Sequence, residues 1–243
     1  MKHAFKLKSL ALSMAIAGSS VAALAPATTQ AGVTGNVGIV SDYIFRGIAQ
    51  NGTSAAAQGG IDYEHESGAY AGVWASNVGP GAGLEYDLYG GWAGEVSGLA
   101  LGAGVTLYNY TKDSSKDSNA WDTSYTEFNL SVGYDMFTLT YDFGTHAKWA
   151  NDGGDLSYSV ITASVEYESV YFLYGMGDDF FAEDTDHTWF EFGYGAEIAP
   201  GTDVSFALIN SSADVAQYTN GTTGNAEDTM NMVVGITKSF DIM

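Results

Sequence analysis

Positive charge and cysteine are the scarcest features of this sequence. It has 8 Lys and Arg residues against 29 Asp and Glu, which gives a formal net charge of −21 at pH 7. Nothing in such a chain can neutralise phosphate, so nucleic acid is excluded as a partner, and anionic lipid surfaces are not expected to attract it. The chain has no Cys, which rules out a disulfide framework.

The N-terminal residues have the three parts of a secretory signal peptide. Lys2, Lys6 and Lys8 form a basic region, the stretch 10–24 is an apolar run, and Thr29-Gln30-Ala31 offers small residues for cleavage. A transmembrane helix is the alternative, but the run is short and is interrupted by glycine and serine. We therefore predict a cleaved signal peptide over residues 1–31 and one domain over residues 32–243. An exported protein without disulfides needs another source of stability, and a closed sheet is one.

Helical periodicity is missing from the rest of the chain. No window shows apolar residues at the i, i+3, i+4, i+7 spacing of an amphipathic helix. Segments of about ten residues in which apolar and polar side chains alternate recur instead, as in membrane β-strands. Twelve such segments occur, at 35–47, 58–66, 69–78, 84–92, 99–110, 125–135, 136–144, 158–168, 170–177, 189–198, 203–210 and 229–243.

The connections between these segments alternate in length. Five are tight turns of the hairpin type, at Ser67-Gly68, Ser97-Gly98, Asp135-Met136, Glu168-Ser169 and Pro200-Gly201. Longer polar connections lie between them, at 48–55, 112–122, 148–155, 178–186 and 210–227, with a brief one at 79–83. An even strand count with short turns at one end and long loops at the other is typical of bacterial outer-membrane barrels.

We therefore predict an all-β fold, an antiparallel up-and-down transmembrane β-barrel of about 12 strands with short periplasmic turns and longer extracellular loops. Closure follows from physics, because in hydrocarbon every backbone N–H and C=O needs a partner. A soluble β-sandwich also alternates, but its solvent face usually carries Lys. Here Lys is scarce and aromatic residues gather near strand ends, like the girdles of a membrane barrel.

The polar face of the predicted strands carries most of the acidic residues and the single arginine. The predicted pore-lining residues are Asp42, Arg46, Asp62, Glu64, Glu85, Asp87, Glu127, Asp142, Glu166, Glu191 and Glu197. Carboxylates around a lumen attract cations, so a pore would prefer cations or pass small neutral solutes. Twelve strands imply a narrow lumen, which loops could plug. Arg46 is expected to pair with Asp42 and with carboxylates of neighbouring strands, where it either fixes register or tunes selectivity.

The segment SDYIFRGIAQNG, followed by GGIDYEHESGAYAGVWASNVG, resembles the TorF-type porin family of proteobacteria. The similarity is most specific from Ser41 to Gly79 and extends to the closing GITKSF. This resemblance implies an outer-membrane β-barrel and a channel. It supplies neither catalytic residues nor a substrate. The chain departs from many barrels, which end on an aromatic residue, because its last residues are Phe240-Asp241-Ile242-Met243.

Two other functions remain open from the sequence. One is a non-conducting structural or surface-interaction barrel, whose acidic loop 178–186 would bind Ca²⁺ or contact cation-bridged lipopolysaccharide. The other is a lipid-modifying enzyme using His65, His146 or His187, although no GxSxG-like motif supports it. We expect no enzymatic activity, no cofactor and no metal. The expected partners are outer-membrane lipid, lipopolysaccharide and small cations or small polar solutes, and the expected assembly is a monomer or homotrimer.

Overall fold

The computed structural model describes residues 31–52, 54–79, 83–112, 124–147, 155–180, 186–212 and 229–243. The predicted signal peptide lies outside these residues apart from Ala31, and so do most of the predicted long loops. The described strands are β1 (Gly32–Val40), β2 (Ile44–Phe45), β3 (Ile48–Ala49), β4 (Ala56–Glu64), β5 (Ala69–Asn77), β6 (Leu84–Val96), β7 (Leu99–Tyr110), β8 (Tyr125–Tyr134), β9 (Phe137–Ala147), β10 (Asp155–Tyr167), β11 (Val170–Asp178), β12 (Asp186–Ala199), β13 (Thr202–Ser211) and β14 (Thr229–Asp241).

Twelve of these strands close into a barrel, which confirms the predicted fold. Each pairs antiparallel with its neighbours in chain order, and β1 closes the barrel by pairing with both β4 and β14. The tight turns lie where they were expected, with left-handed backbone at Ser97 (φ 55°) and Gly98 (φ 82°) in one of them, as hairpin turns that match strand twist require. Closure leaves none of the described wall strands at an open edge of the sheet. Among the residues that the structure describes, no helix has the length and hydropathy needed to span a bilayer.

The outer face of the barrel is apolar. Along β8, Phe128 and Leu130 point outward and are about half exposed, while Glu127 and Asn129 between them are buried inside. The same alternation recurs on β11, where Phe172 is exposed and the neighbouring Leu173 is buried. A water-soluble protein rarely exposes so continuous an apolar surface, whereas strands in contact with lipid alternate in this way.

The first predicted strand is wrong in its second half. It was expected to run from residue 35 to residue 47, but β1 ends at Val40 and the chain then leaves the wall. Residues 44–49 form a small hairpin inside the lumen, with Arg46 (φ 52°) and Gly47 (φ 83°) at its turn. Alternation could not reveal this, because a hairpin inside a barrel is as extended as a strand in its wall. In a wall strand, alternation with Asp42 and Arg46 would place Tyr43 and Phe45 on the lipid side, but both are buried inside.

Residues 41–52, called the plug below, pack on one side against apolar side chains of the lumen. Ile44 and Ile48 of the plug are fully buried. They belong to one apolar cluster with inward-facing residues of β10 to β14, namely Val160, Leu173, Trp189, Ile209 and Val233. The loop-side half of the barrel thus contains a small hydrophobic core, and burial of these side chains fixes the plug against the wall.

Candidate functional site

The tip of the plug carries Arg46 to two carboxylates of the wall. Its Nη1 donates to Glu127 Oε2 at 2.7 Å, and its Nη2 donates to Glu127 Oε1 at 2.9 Å and to Asp142 Oδ2 at 3.0 Å. Glu127 lies on β8 and Asp142 on the adjacent β9. The two parallel bonds to Glu127 form the bidentate geometry that suits a planar guanidinium. Arg46 is only 2% exposed, so this is a buried ion-pair network.

The Arg46 guanidinium lies close to two aromatic rings, Phe45 and Phe180, whose centroids are 6.0 Å apart. Its Cζ is 4.7 Å from the ring centroid of Phe45 and 4.8 Å from that of Phe180. Phe180 is the second residue after the end of β11 and is buried, so a second connection at the loop end also reaches the lumen. The rings continue from Phe180 to His187, at 5.8 Å, and from His187 to Trp189, at 5.2 Å. Cations over desolvated aromatic faces gain electrostatic stabilisation.

The wall holds the two carboxylates in place without help from the plug. Tyr158 Oη donates to Glu127 Oε2 at 2.8 Å. Asn129 Nδ2 donates to Glu127 Oε1 at 2.8 Å and to Asp142 Oδ1 at 3.0 Å, and Thr106 Oγ1 in turn donates to Asn129 Oδ1 at 3.0 Å. These side chains come from four neighbouring strands, β7 to β10. The receptor for the guanidinium is therefore built from rigid elements, as precise binding requires.

A second pair of carboxylates lies on β6, close to the same level. Glu85 and Asp87 are two residues apart, face inward and are almost fully buried. Tyr43 Oη of the plug donates to Glu85 Oε1 at 2.9 Å, and Asp87 Oδ1 has no hydrogen-bond partner in the described part of the chain. The ion pairs seen within the described residues are those of Arg46 with Glu127 and Asp142. Acidic groups thus outnumber basic ones in this part of the lumen.

Asp42 is not one of the partners of Arg46, contrary to expectation. The two residues were placed on one face of one strand, but the chain turns between them and directs them apart. Asp42 is buried, and its Oδ1 has no hydrogen-bond partner among the residues described. Burial raises the pKa of Asp42 above its ordinary value, although a backbone hydrogen bond from Tyr43 opposes this.

The other predicted pore-lining residues lie nearer the short-turn end or on the opposite wall. Tyr89 Oη donates to Asp62, while Glu64 and Glu166 are half-buried. Glu197 is exposed beside a turn and accepts a bond from Gly201 N at 2.7 Å. Glu191 on β12 is fully buried and accepts a bond from Tyr171 Oη at 3.3 Å. Their role as pore-lining residues stays a prediction.

Of the histidines considered for catalysis, His65 lies apart from His146 and His187, which both contact Phe180. His65 Nδ1 is 2.9 Å from Ser67 Oγ at a short turn, and His146 Nε2 is 2.9 Å from the main-chain oxygen of Phe180. His187 is buried in the aromatic stack. Within the described ranges, no group of three or more His, Cys, Asp or Glu side chains could hold a metal ion. Part of the acidic loop proposed to bind Ca²⁺, residues 181–185, lies outside those ranges.

Sequence reasoning missed the neutral members of this site. Phe180 lies in a loop that was interpreted only through its acidic residues, and its signal was the pair Phe180-Phe181 within that loop. Tyr108 Oη also donates to Glu127 Oε1, at 3.3 Å. Tyr108 and Tyr158 have no comparable signal, because inward and outward tyrosines look alike in the sequence.

Comparison with protein families identifies the chain. Residues 24–240 match the model of a family described as "Bacterial protein of unknown function (Gcw_chp)", and the chain therefore belongs to this family. The TorF-type porin resemblance is not among the matches and stays an interpretation. No curated protein matches the chain.

Solved structures share the barrel fold at low identity. A structure reported under "Unveiling the Mechanism Behind the in-meso Crystallization of Membrane Proteins" has a TM-score of 0.53 at 12% identity, with 87% of this chain and 84% of that chain covered. The outer membrane protein opdK from Pseudomonas aeruginosa gives 0.42 at 11% identity, covering 86% and 67%. An anion-selective porin from Comamonas acidovorans gives 0.41 at 12%, covering 86% and 98%. At 12% identity, the similarity to the first of these structures concerns the fold alone.

Proposed function

We propose that this protein is an outer-membrane porin, a narrow passive diffusion channel that prefers cations. The observation that carries the proposal is the charge inside the lumen. Four buried carboxylates, those of Glu85, Asp87, Glu127 and Asp142, lie in the same region as a single guanidinium. The apolar outer face of the closed barrel supports insertion into a bilayer, and the predicted signal peptide would direct its export.

The excess of carboxylates explains the expected preference. A cation that enters this region is attracted by groups that water screens poorly, whereas an anion is repelled by the same groups. Asp62, Glu64, Glu166 and Glu197 would extend the negative potential to the short-turn mouth of the barrel. The selectivity would then come from fixed charges of the wall, as in other pores lined by carboxylates.

The plug implies that conductance is small. At the level of Arg46 the described side chains are tightly packed, and several are 0–2% exposed. Ions must therefore pass during movements of the plug or of its neighbouring side chains. In this proposal the protein has no catalytic activity, it works as a monomer or homotrimer, and outer-membrane lipid and lipopolysaccharide surround it.

The test is single-channel recording of refolded, heat-modifiable protein in a planar bilayer with a tenfold KCl gradient. We expect small discrete current steps and a reversal potential with the sign of cation selectivity. An ideally cation-selective pore would give about 59 mV for a tenfold KCl gradient. Arg46→Ala should shift the potential further toward that limit, because it removes the basic charge near the path. Lys238→Ala is the matched control, since Lys238 is exposed and bonds Pro200 O at a short turn. An anion-selective potential would refute the proposal.

A non-conducting structural barrel is the second candidate, and one observation favours it. The plug is held by a core of fully buried apolar side chains, including Ile44, Leu173 and Ile209. Such packing would keep the lumen closed permanently if the plug never moves. A folded barrel that gives no current, either as wild type or as a variant with a displaced plug, would decide for this candidate.

A further inference from the structure

We propose that Glu127, Asp142 and Phe180 form a binding site for a small organic cation with a guanidinium or primary ammonium group, and that the plug's own Arg46 occupies it in the closed barrel. The inference rests on the proposed function in one respect, since it places the site on the permeation path. It names the chemical class of solute that the channel would recognise.

The site has the features of a receptor and not of a chance contact. Glu127 binds both terminal nitrogens of the guanidinium, at 2.7 and 2.9 Å, and Asp142 binds one of them at 3.0 Å. Arg46 Cζ lies over the ring of Phe180, 4.8 Å from its centroid. Hydrogen bonds from Tyr158 and Asn129 orient the carboxylates. Glu127, Asp142 and the residues that orient them belong to wall strands β8 to β10, so these groups remain when the plug moves.

The surroundings of the site favour positive charge in addition to that of Arg46. Asp87 is 6% exposed and faces inward two strands from Glu127, yet its Oδ1 has no hydrogen-bond partner in the described residues. A buried carboxylate oxygen without a partner is costly. A cationic ligand with polar hydrogens could satisfy it, because such a ligand can bring a second donor into the region. A quaternary ammonium ion has no N–H and could not.

Arg46 is brought to this site by the plug itself, which makes it an intramolecular competitor of any free ligand. It lies at the tip of a hairpin whose strands have two residues each, and its own backbone is left-handed, with φ at 52°. A tethered group competes with a free ligand at an effective concentration set by the length and stiffness of its connection, and here the connection is a hairpin held by the buried Ile44 and Ile48. A free ligand must exceed that concentration in the wild type, but it meets no competitor when Arg46 is absent.

The experiment is chemical rescue of Arg46→Ala with methylguanidinium chloride. The variant should melt below the wild type, and millimolar methylguanidinium should raise its melting temperature with saturation, by about 3–5 °C at tenfold excess over the dissociation constant. Equal concentrations of tetramethylammonium chloride or KCl should not. The double variant Arg46→Ala, Glu127→Gln should show no rescue, and the wild type should show little shift.

The outcomes separate this inference from the channel proposal. Absence of a saturable, guanidinium-specific shift in Arg46→Ala would overturn the binding site even if the wild type conducts cations. Rescue in a protein that carries no current would keep the site and overturn the channel. If Arg46→Ala does not refold alone, the yield of heat-modifiable barrel with methylguanidinium present becomes the readout. Equal yields with methylguanidinium and tetramethylammonium would then overturn the inference, provided that the wild type refolds in both.

Discussion

Replacement of Glu127 by glutamine should destabilise the barrel strongly, although the two side chains have nearly the same shape. Five donors converge on the Glu127 carboxylate: the two terminal nitrogens of Arg46, Asn129 Nδ2, Tyr108 Oη and Tyr158 Oη. A carboxylate only accepts, with about four lone-pair sites, whereas an amide turns one of its two ends into a donor. In Glu127→Gln the new NH₂ group would therefore face other donors.

The expected loss in unfolding free energy follows from the buried groups that Glu127→Gln leaves unpaired. Removing one partner of a buried ion pair typically costs about 3–5 kcal/mol, because the other charge stays buried without compensation. Arg46 would keep Asp142, which bonds its Nη2 at 3.0 Å, and this moderates the loss. The new NH₂ group of the glutamine also faces the donors of Tyr158 and Asn129, and this mismatch increases the loss of stability. We therefore expect a loss of about 3–4 kcal/mol in the free energy of unfolding.

Glu191→Gln is the matched control. Glu191 is as fully buried as Glu127 and also faces the lumen, but its described hydrogen bond is one from Tyr171 Oη at 3.3 Å. An amide can still accept that bond, and burying it costs less than burying a carboxylate. The unfolding free energy should change by less than about 1 kcal/mol or increase.

Urea unfolding of refolded protein in lipid vesicles, followed by loss of heat-modifiable mobility, compares the two variants. Equal losses for Glu127→Gln and Glu191→Gln would refute the claim that pairing with Arg46 stabilises the plug. The single variants Arg46→Met and Glu127→Gln and their double variant complete a cycle, which should give a coupling of more than about 1 kcal/mol.

Two further predictions concern the plug and the outer face. Gly47→Ala should displace the plug and raise single-channel conductance, because an added Cβ at φ 83° would lie 2.8 Å from Trp189 Cβ. Gly98→Ala is the control: its φ is 82°, and an added Cβ would have no atom within 4 Å. This variant bears only the backbone cost and should leave the conductance unchanged. Leu130→Arg, in the middle of the outward face of β8, should cost about 2–4 kcal/mol in unfolding free energy, whereas Lys238→Ala near a strand end should change it by less than about 1 kcal/mol. A conductance rise in Gly98→Ala, or equal stability of Leu130→Arg and wild type, would contradict these expectations.

The barrel could be predicted from the sequence because each wall strand shows its own alternation, whichever strands lie beside it. Lipid on one side and lumen on the other impose a two-residue period on every wall strand. Phe128 and Leu130 therefore indicate the outer face of β8, and Glu127 next to Phe128 indicates the inner face, without knowledge of any neighbouring strand. The short turns set the strand order in the same local way, since hairpin connections join adjacent antiparallel strands.

A plugged lumen was among the expectations, but the residues that form the plug could not be predicted, because the partners of residues 41–52 are distant in sequence. Arg46 contacts Glu127 and Asp142, which are 81 and 96 residues away, and nothing near Arg46 specifies them. One indirect signal existed. In the segment 170–177 the two faces differ little in polarity, and Leu173 faces inward against the apolar cluster that includes the plug. A strand of a barrel that is apolar on both faces thus indicates protein inside the lumen at that level.

The plug has two unlike sides, and this asymmetry connects the fold with the proposed function. Apolar residues of β10 to β14, such as Val160, Ile209 and Val233, pack on one side, and such contacts are lost only when the whole segment moves away. Carboxylates of β6, β8 and β9 surround the other side, where Arg46 is bound. An ion pair can exchange its cation for another without losing its geometry, whereas an apolar contact has no solute to replace it. Passage of cations is therefore expected along the wall of β6 to β9, with the opposite wall retaining the plug.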